Sequence, residues 1–107
     1  FSIQNPEKEA KSSWFGYPIL LKGRLKKKRN ALREFLFSRD IETRPFLAGD
    51  FTLQPVVDKF HHIKDNDLYV SREIAESGLA IPCHQSLKKD NAIYVIESFK
   101  EFIKFIQ

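Results

Sequence analysis

The chain has 107 residues, 42% of them apolar and 30% charged, and ten are phenylalanines. That supports one domain with one modest core, and the absence of any span-length apolar run or signal-type leader argues for a soluble cytoplasmic protein. A single cysteine rules out an internal disulfide, and the net charge of +4 is concentrated in one place, residues 22–30.

Residues 1–13, "FSIQNPEKEAKSS", are polar, contain Pro6 and have no period, so they read as a lead-in or linker. The chain opens on Phe1 rather than Met, which suggests a piece of a longer polypeptide. "WFGYPILLK", residues 14–22, predicts a buried strand, with Pro18 pointing to an edge position or a bulge. "KGRLKKKRN" follows with Lys22, Arg24, Lys26, Lys27, Lys28 and Arg29; outside it the chain is slightly acidic. Such a cluster attracts phosphates or nucleic acid, but it carries no interleaved aromatics and is expected to be a solvated loop and helix start.

Lys26 to Asp40 predicts a helix with Leu32, Phe35 and Leu36 as its buried stripe, its cations set against the helix dipole. "IETRPF", residues 41–46, predicts a short strand stopped by Pro45. Leu47 to Asp67 has little periodicity, and a loop of that length in a small domain is usually a binding loop or lid. "SREIAES" predicts a helix capped by Ser71 and closed by Gly78; "LAIPC", residues 79–83, predicts another strand. Asp90 then caps a long helix, residues 91–107, with Ile93, Ile96, Phe99, Ile103 and Ile106 in one stripe widened by Val95 and Phe102. The order implies an α+β fold: a small antiparallel or mixed sheet of about three strands with helices on one face.

Chemistry is sparse. Cys83 and His84 are adjacent, and neighbours on a strand point to opposite faces, so they do not form a thiol–imidazole dyad; Cys83 is expected to be a packed residue. His61 or His62 would have to reach Cys83 across the fold to make a hydrolase. Cys83, His61, His62 and His84 lack paired metal-ligand spacing, so no metal site is expected. The four glycines are isolated and cradle no phosphate, and Glu7 and Glu9 lie in the polar lead-in. Two places remain. In "ETRPFLAGDFTLQP" the polar Arg44, Asp50, Thr52 and Gln54 stand among Phe46, Leu47 and Phe51, and Arg44 is suited to bidentate grip of a phosphate or carboxylate unless it pairs with Glu42 or Asp50. The other is His84, where a strand ends after Pro82.

"SSWFGYPILL", "IETRPFLAGDFTLQP" and "GLAIPCHQSL", in that order, resemble the C-terminal part of the DegT/DnrJ/EryC1/StrS sugar aminotransferases, and "SWFG" with "TR…AGD…QP" resembles their nucleotide-4-keto-6-deoxyhexose 3-dehydratases most. The resemblance covers Ser12 to Ile106. It implies a pyridoxal phosphate (PLP/PMP) enzyme of the aspartate-aminotransferase fold, of which residues 14–107 are the small domain. It also implies that the large domain, absent here, carries the cofactor and the Schiff-base lysine (a histidine in the dehydratases). On this reading the chain alone holds no catalytic residue and no cofactor. With the large domain it contacts a nucleotide-linked 4-keto sugar through Thr43, Arg44, Asp50, Gln54 and His84, near a homodimer interface. The family's usual glycine–asparagine is glycine–aspartate here, at Gly49–Asp50, and an ionised acid cannot donate as an amide does. The competing expectation from the residues alone is a free-standing basic module for nucleic acid or another polyanion.

Overall fold

A computed structural model describes residues 1–64 and 67–106. Its centre is a three-stranded antiparallel sheet in the order β1 (Ser2–Ile3), β2 (Tyr17–Leu20), β3 (Gly78–Ile81). The expected α+β class therefore holds, but the strands are not all the expected ones. The third strand comes from the polar lead-in: Ser2 and Ile3 pair with Leu20 and Ile19, and Phe1 sets its ring edge-on to Phe99 at 5.4 Å. The expected strand 41–46 is reduced to one bridge, in which Arg44 and Ala80 exchange two backbone hydrogen bonds of 3.0 and 2.7 Å. Pro45 has no N–H to continue that ladder.

Pro18 lies in the middle strand, not at an edge, and the register explains how. Its partner Ala80 spends both backbone groups on Arg44, on the far side of β3, so Pro18 and Ala80 form a pair without mutual hydrogen bonds. The missing donor therefore faces the β1 side, and β1 has already ended at Ile3, opposite Ile19.

Ile19 and Leu79 face the core from the sheet and meet Leu32, Leu36, Phe99 and Phe102, with Leu21, Leu25 and Ile41 closing the cluster. Two of the helices supply this layer. Gly23–Lys28 winds as 3₁₀ turns, and only Arg29–Phe37 is α-helix (α1), later than the expected Lys26. No side chain caps its start, and the run of cations there opposes the dipole. Its end is well closed: Asp40 turns left-handed at φ 58°, and the Ile41 amide reaches back 3.0 Å to the Leu36 carbonyl, bringing two buried side chains together.

The second helix, α2 (Tyr69–Ser77), starts two residues before the expected cap Ser71; Asp67 accepts from the Tyr69 amide at 3.1 Å. Gly78 follows it in extended rather than left-handed backbone, and what requires glycine there is space: a Cβ would lie 2.6 Å from both the Ile74 carbonyl and the Phe46 ring.

The long helix α3 (Lys89–Phe105) starts with the Asn91 side chain accepting from the Lys88 amide at 2.8 Å, while Asp90 sits within the first turn rather than capping it. Its buried seam is Ser98, Phe99 and Phe102, flanked by half-buried Val95, Ile103 and Ile106. Ile93 and Ile96, expected in the stripe, are 45% and 53% exposed. The helix is apolar over more of its circumference than the sheet can cover. Ser98 satisfies its hydroxyl on the Tyr94 carbonyl at 2.9 Å.

Candidate functional site

Arg44 is anchored by its backbone and open at its side chain. The bridge to Ala80 holds its peptide in the sheet, whereas its guanidinium is 67% exposed and donates from Nε to Glu42 at 3.0 Å. Pairing is thus with Glu42 and not with Asp50, and an exposed pair of this kind contributes about 0–1 kcal/mol and is readily exchanged for another anion. Thr43 beside it is half-buried.

Asp50 is unlike the others. It is only 1% exposed, and its carboxylate accepts from the Thr52 amide at 2.9 Å, the Thr52 hydroxyl at 2.6 Å and Arg72 Nε at 3.1 Å. The Thr52 hydroxyl bond first, with the Thr52 amide and Arg72, holds the carboxyl below its ordinary value of 3.8 against the opposing effect of burial. Asp50, expected among the ligand contacts, caps the 3₁₀ turn Phe51–Leu53 and is turned into the protein. A second 3₁₀ turn, Pro55–Lys59, follows, so the expected long loop is locally wound, with Val57 buried; Asp65 and Asn66 lie outside the described residues. Gln54 sits between the two turns, its backbone bonded to Phe51 and Val57 at 3.0 Å each and its side chain exposed.

His84 follows the end of β3 on an exposed loop. Its Nδ1 accepts from the Ser86 amide at 3.1 Å, which leaves the proton of the neutral ring on Nε2. The ring borders a groove of about 980 Å³, walled by Ile81, Pro82, Leu87, Tyr94 and Ile96. None of Thr43, Arg44, Asp50 and Gln54 lines that groove. Cys83 is exposed, not packed as expected, because β3 ends at Ile81 and Pro82 takes the chain out of the sheet. Among the described residues no group of three or more metal-ligating side chains forms. His62 engages its own loop, at 3.0 Å from the Phe60 carbonyl.

Half of the basic cluster is used internally. Lys22 and Lys26 flank Glu73 of α2 at 3.2 and 3.3 Å, and their bonds, Lys22 first, lower the Glu73 pKa from 4.5 despite burial. Arg29 donates to the Ala75 carbonyl. Arg24, Lys27 and Lys28 remain exposed. The residue that sequence reading missed is Arg72. The Asp50–Thr52 turn is legible locally, but a partner on another helix leaves no local signal.

Residues 1–100 match the model of the DegT/DnrJ/EryC1/StrS aminotransferase family. The chain belongs to that family. It is 31% identical over 102 residues to the lipopolysaccharide biosynthesis protein RfbH of Salmonella typhimurium, covering 94% of this chain and 23% of that protein. With the dTDP-4-dehydro-2,6-dideoxy-D-glucose 3-dehydratase of Saccharopolyspora spinosa it shares 29% over 91 residues, 85% of this chain and 20% of the relative. Among solved structures, GDP-4-keto-6-deoxymannose-3-dehydratase (ColD) with bound GDP-perosamine superposes with a TM-score of 0.80 at 28% identity, over 91% of this chain and 25% of that one. The aminotransferase TlmJ of Streptoalloteichus hindustanus, at 21% identity and a TM-score of 0.75, shares the fold. The chain thus spans about a quarter of the length of its relatives.

One solved member of the family holds hydrated PLP. A Schiff-base lysine for that group must be desolvated to be nucleophilic. Here every described lysine is exposed except Lys26, which is half-buried and ion-paired to Glu73. The buried carboxylate, Asp50, has its acceptors taken.

Proposed function

We propose that residues 14–107, together with the strand Ser2–Ile3 that completes their sheet, are the C-terminal small domain of a PLP- or PMP-dependent enzyme that acts on a nucleotide-linked 4-keto-6-deoxyhexose in the cytoplasm, as a 3-dehydratase or an aminotransferase. The observation that carries this is the match of residues 1–100 to the family, together with superposition on 3-dehydratases over 91% of the chain. On this reading the cofactor, the Schiff-base residue and the proton transfers belong to the large domain, and this chain binds and orients. Arg44 exchanges Glu42 for a phosphate or sugar oxygen, a charge-assisted bond from a guanidinium whose backbone is already held. Thr43 and Gln54 border the same sugar-nucleotide. His84 donates from Nε2 to it, its ring set by the Ser86 amide. Since Arg44 does not line the groove beside His84, the cleft is completed by the large domain or by the second subunit of a homodimer. A polyanion-binding role for the basic segment has less support, because Lys22, Lys26 and Arg29 are committed to α2.

The test is to read the frame upstream of Phe1 and assay the joined polypeptide with PLP and a nucleotide-linked 4-keto-6-deoxyhexose. Turnover, with a lysine at the Schiff-base position for transamination or a histidine for dehydration, is the expected result. Arg44→Ala should then raise KM by about tenfold, the loss of one charge-assisted bond. A stop codon directly before Phe1, or a joined polypeptide that neither binds nor converts the sugar, would overturn the reading.

A further inference from the structure

The segment from Phe46 to Thr52 is seated on α2 and on the start of β3 at three points. At Gly49 a Cβ would lie 2.5 Å from the Ala75 Cβ, so backbone meets helix directly, and φ there is +61°. The Phe46 ring occupies the space that a side chain at Gly78 would need. The third point is polar: Asp50 Oδ1 takes the Thr52 amide and hydroxyl, and Oδ2 takes Arg72 Nε from a position 22 residues further along the chain. Among the described residues Arg72 is the one cation acting on this carboxylate. Arg72 is 42% exposed and its partner 1%, so the pair is unequal: the arginine can return to water, and the carboxylate cannot.

We propose that Arg72 is a positioning residue: through the buried Asp50 carboxylate it latches the loop of residues 46–54 onto α2 and thereby sets where Phe51 and Gln54 stand. Thr52 alone does not supply this, since both its bonds to Asp50 lie within the loop and tie it to nothing else. The pair with Arg72 is the side-chain charge contact between loop and helix. An asparagine at position 50 would keep the Thr52 bonds and give Arg72 no charge to hold, so Asp50 and Arg72 act as one unit. The latch stands on the geometry of this chain; its consequence, a loop held at fixed distance from the sugar-nucleotide, rests on the function proposed above.

The pair can be followed without substrate, which separates its failure from the failure of that function. In the isotope-labelled chain, the Asp50 carboxyl carbon is titrated by NMR and the exchange rate of the Thr52 amide is measured. The wild type should titrate below 3.8, and Arg72→Met should move the midpoint up and speed Thr52 exchange about tenfold. Arg72→Lys should recover most of both. Leu32→Ala serves as a control that loosens the core and leaves the Asp50 midpoint in place, which separates a general loss of stability from loss of the pair. Should Arg72→Met fail to fold, Arg72→Gln, Asp50→Asn and the double variant are compared: equal Thr52 exchange in the three supports a single unit, and additive acceleration in the double variant overturns it. An unchanged midpoint and unchanged exchange in folded Arg72→Met would also overturn it.

Discussion

Among the described residues, Asp50 and Glu73 are carboxylates that tie this fold to pH. Both have pKa values lowered in the folded chain, Asp50 chiefly by the Thr52 hydroxyl and Glu73 chiefly by Lys22. A group that binds its proton less tightly when folded stabilises the fold above its unfolded pKa, and that contribution is lost as pH falls through the lowered folded value. Thermal midpoints should therefore hold steady at neutral pH and fall once the pH drops below the ordinary values of 4.5 and 3.8. Asp50→Ala should lower the midpoint at pH 7 and flatten the acid limb; superimposable limbs for the two proteins would contradict this. Gly49→Ala is expected to cost roughly 1–3 kcal/mol in urea unfolding, combining strain at positive φ with a clash against the Ala75 backbone. At this scale the Asp50–Thr52 turn could be read from adjacent letters, whereas Arg72 could not. Nothing local distinguishes its charge from the other cations of the chain.

Elements were legible where periodicity was matched by one buried face. Leu32 and Leu36 were expected in the core and are fully buried, because α1 has a single narrow apolar stripe. In α3 the apolar residues run round more of the helix, and pattern alone could not say which of two overlapping stripes meets the sheet. A direct comparison follows. Leu36→Ala should cost about 2–5 kcal/mol, the usual range for a buried leucine, whereas Ile96→Ala, 53% exposed in the chain, should cost under about 1 kcal/mol. Comparable losses at both positions would mean that the seam is the one expected from periodicity. The strands follow the same logic. Pro45 limited Arg44 to one bridge, and the free edge of β2 was instead taken by Ser2–Ile3, whose letters carry no strand signal.

For the whole molecule, the distribution of apolar surface matters more than its amount. Phe51, Leu53, Val56 and Phe60 are 45–67% exposed, and Ile96 borders the groove beside His84. Apolar surface on this scale is a binding face or an association hazard. Light scattering of the isolated chain should show the mean mass rising with concentration, and strictly monomeric behaviour at high concentration would contradict that. The sequence by itself determined the class of fold, the core of α1 and the three blocks that place the chain in its family, because each rests on residues close together in the chain. The tertiary structure alone decided that Asp50 faces inward to Arg72 and that β1 closes the sheet. It also put His84 on a groove that Arg44 does not line. Each of these depends on which distant segment arrives alongside, and a carboxylate or a strand edge carries no mark of that partner in its own neighbourhood.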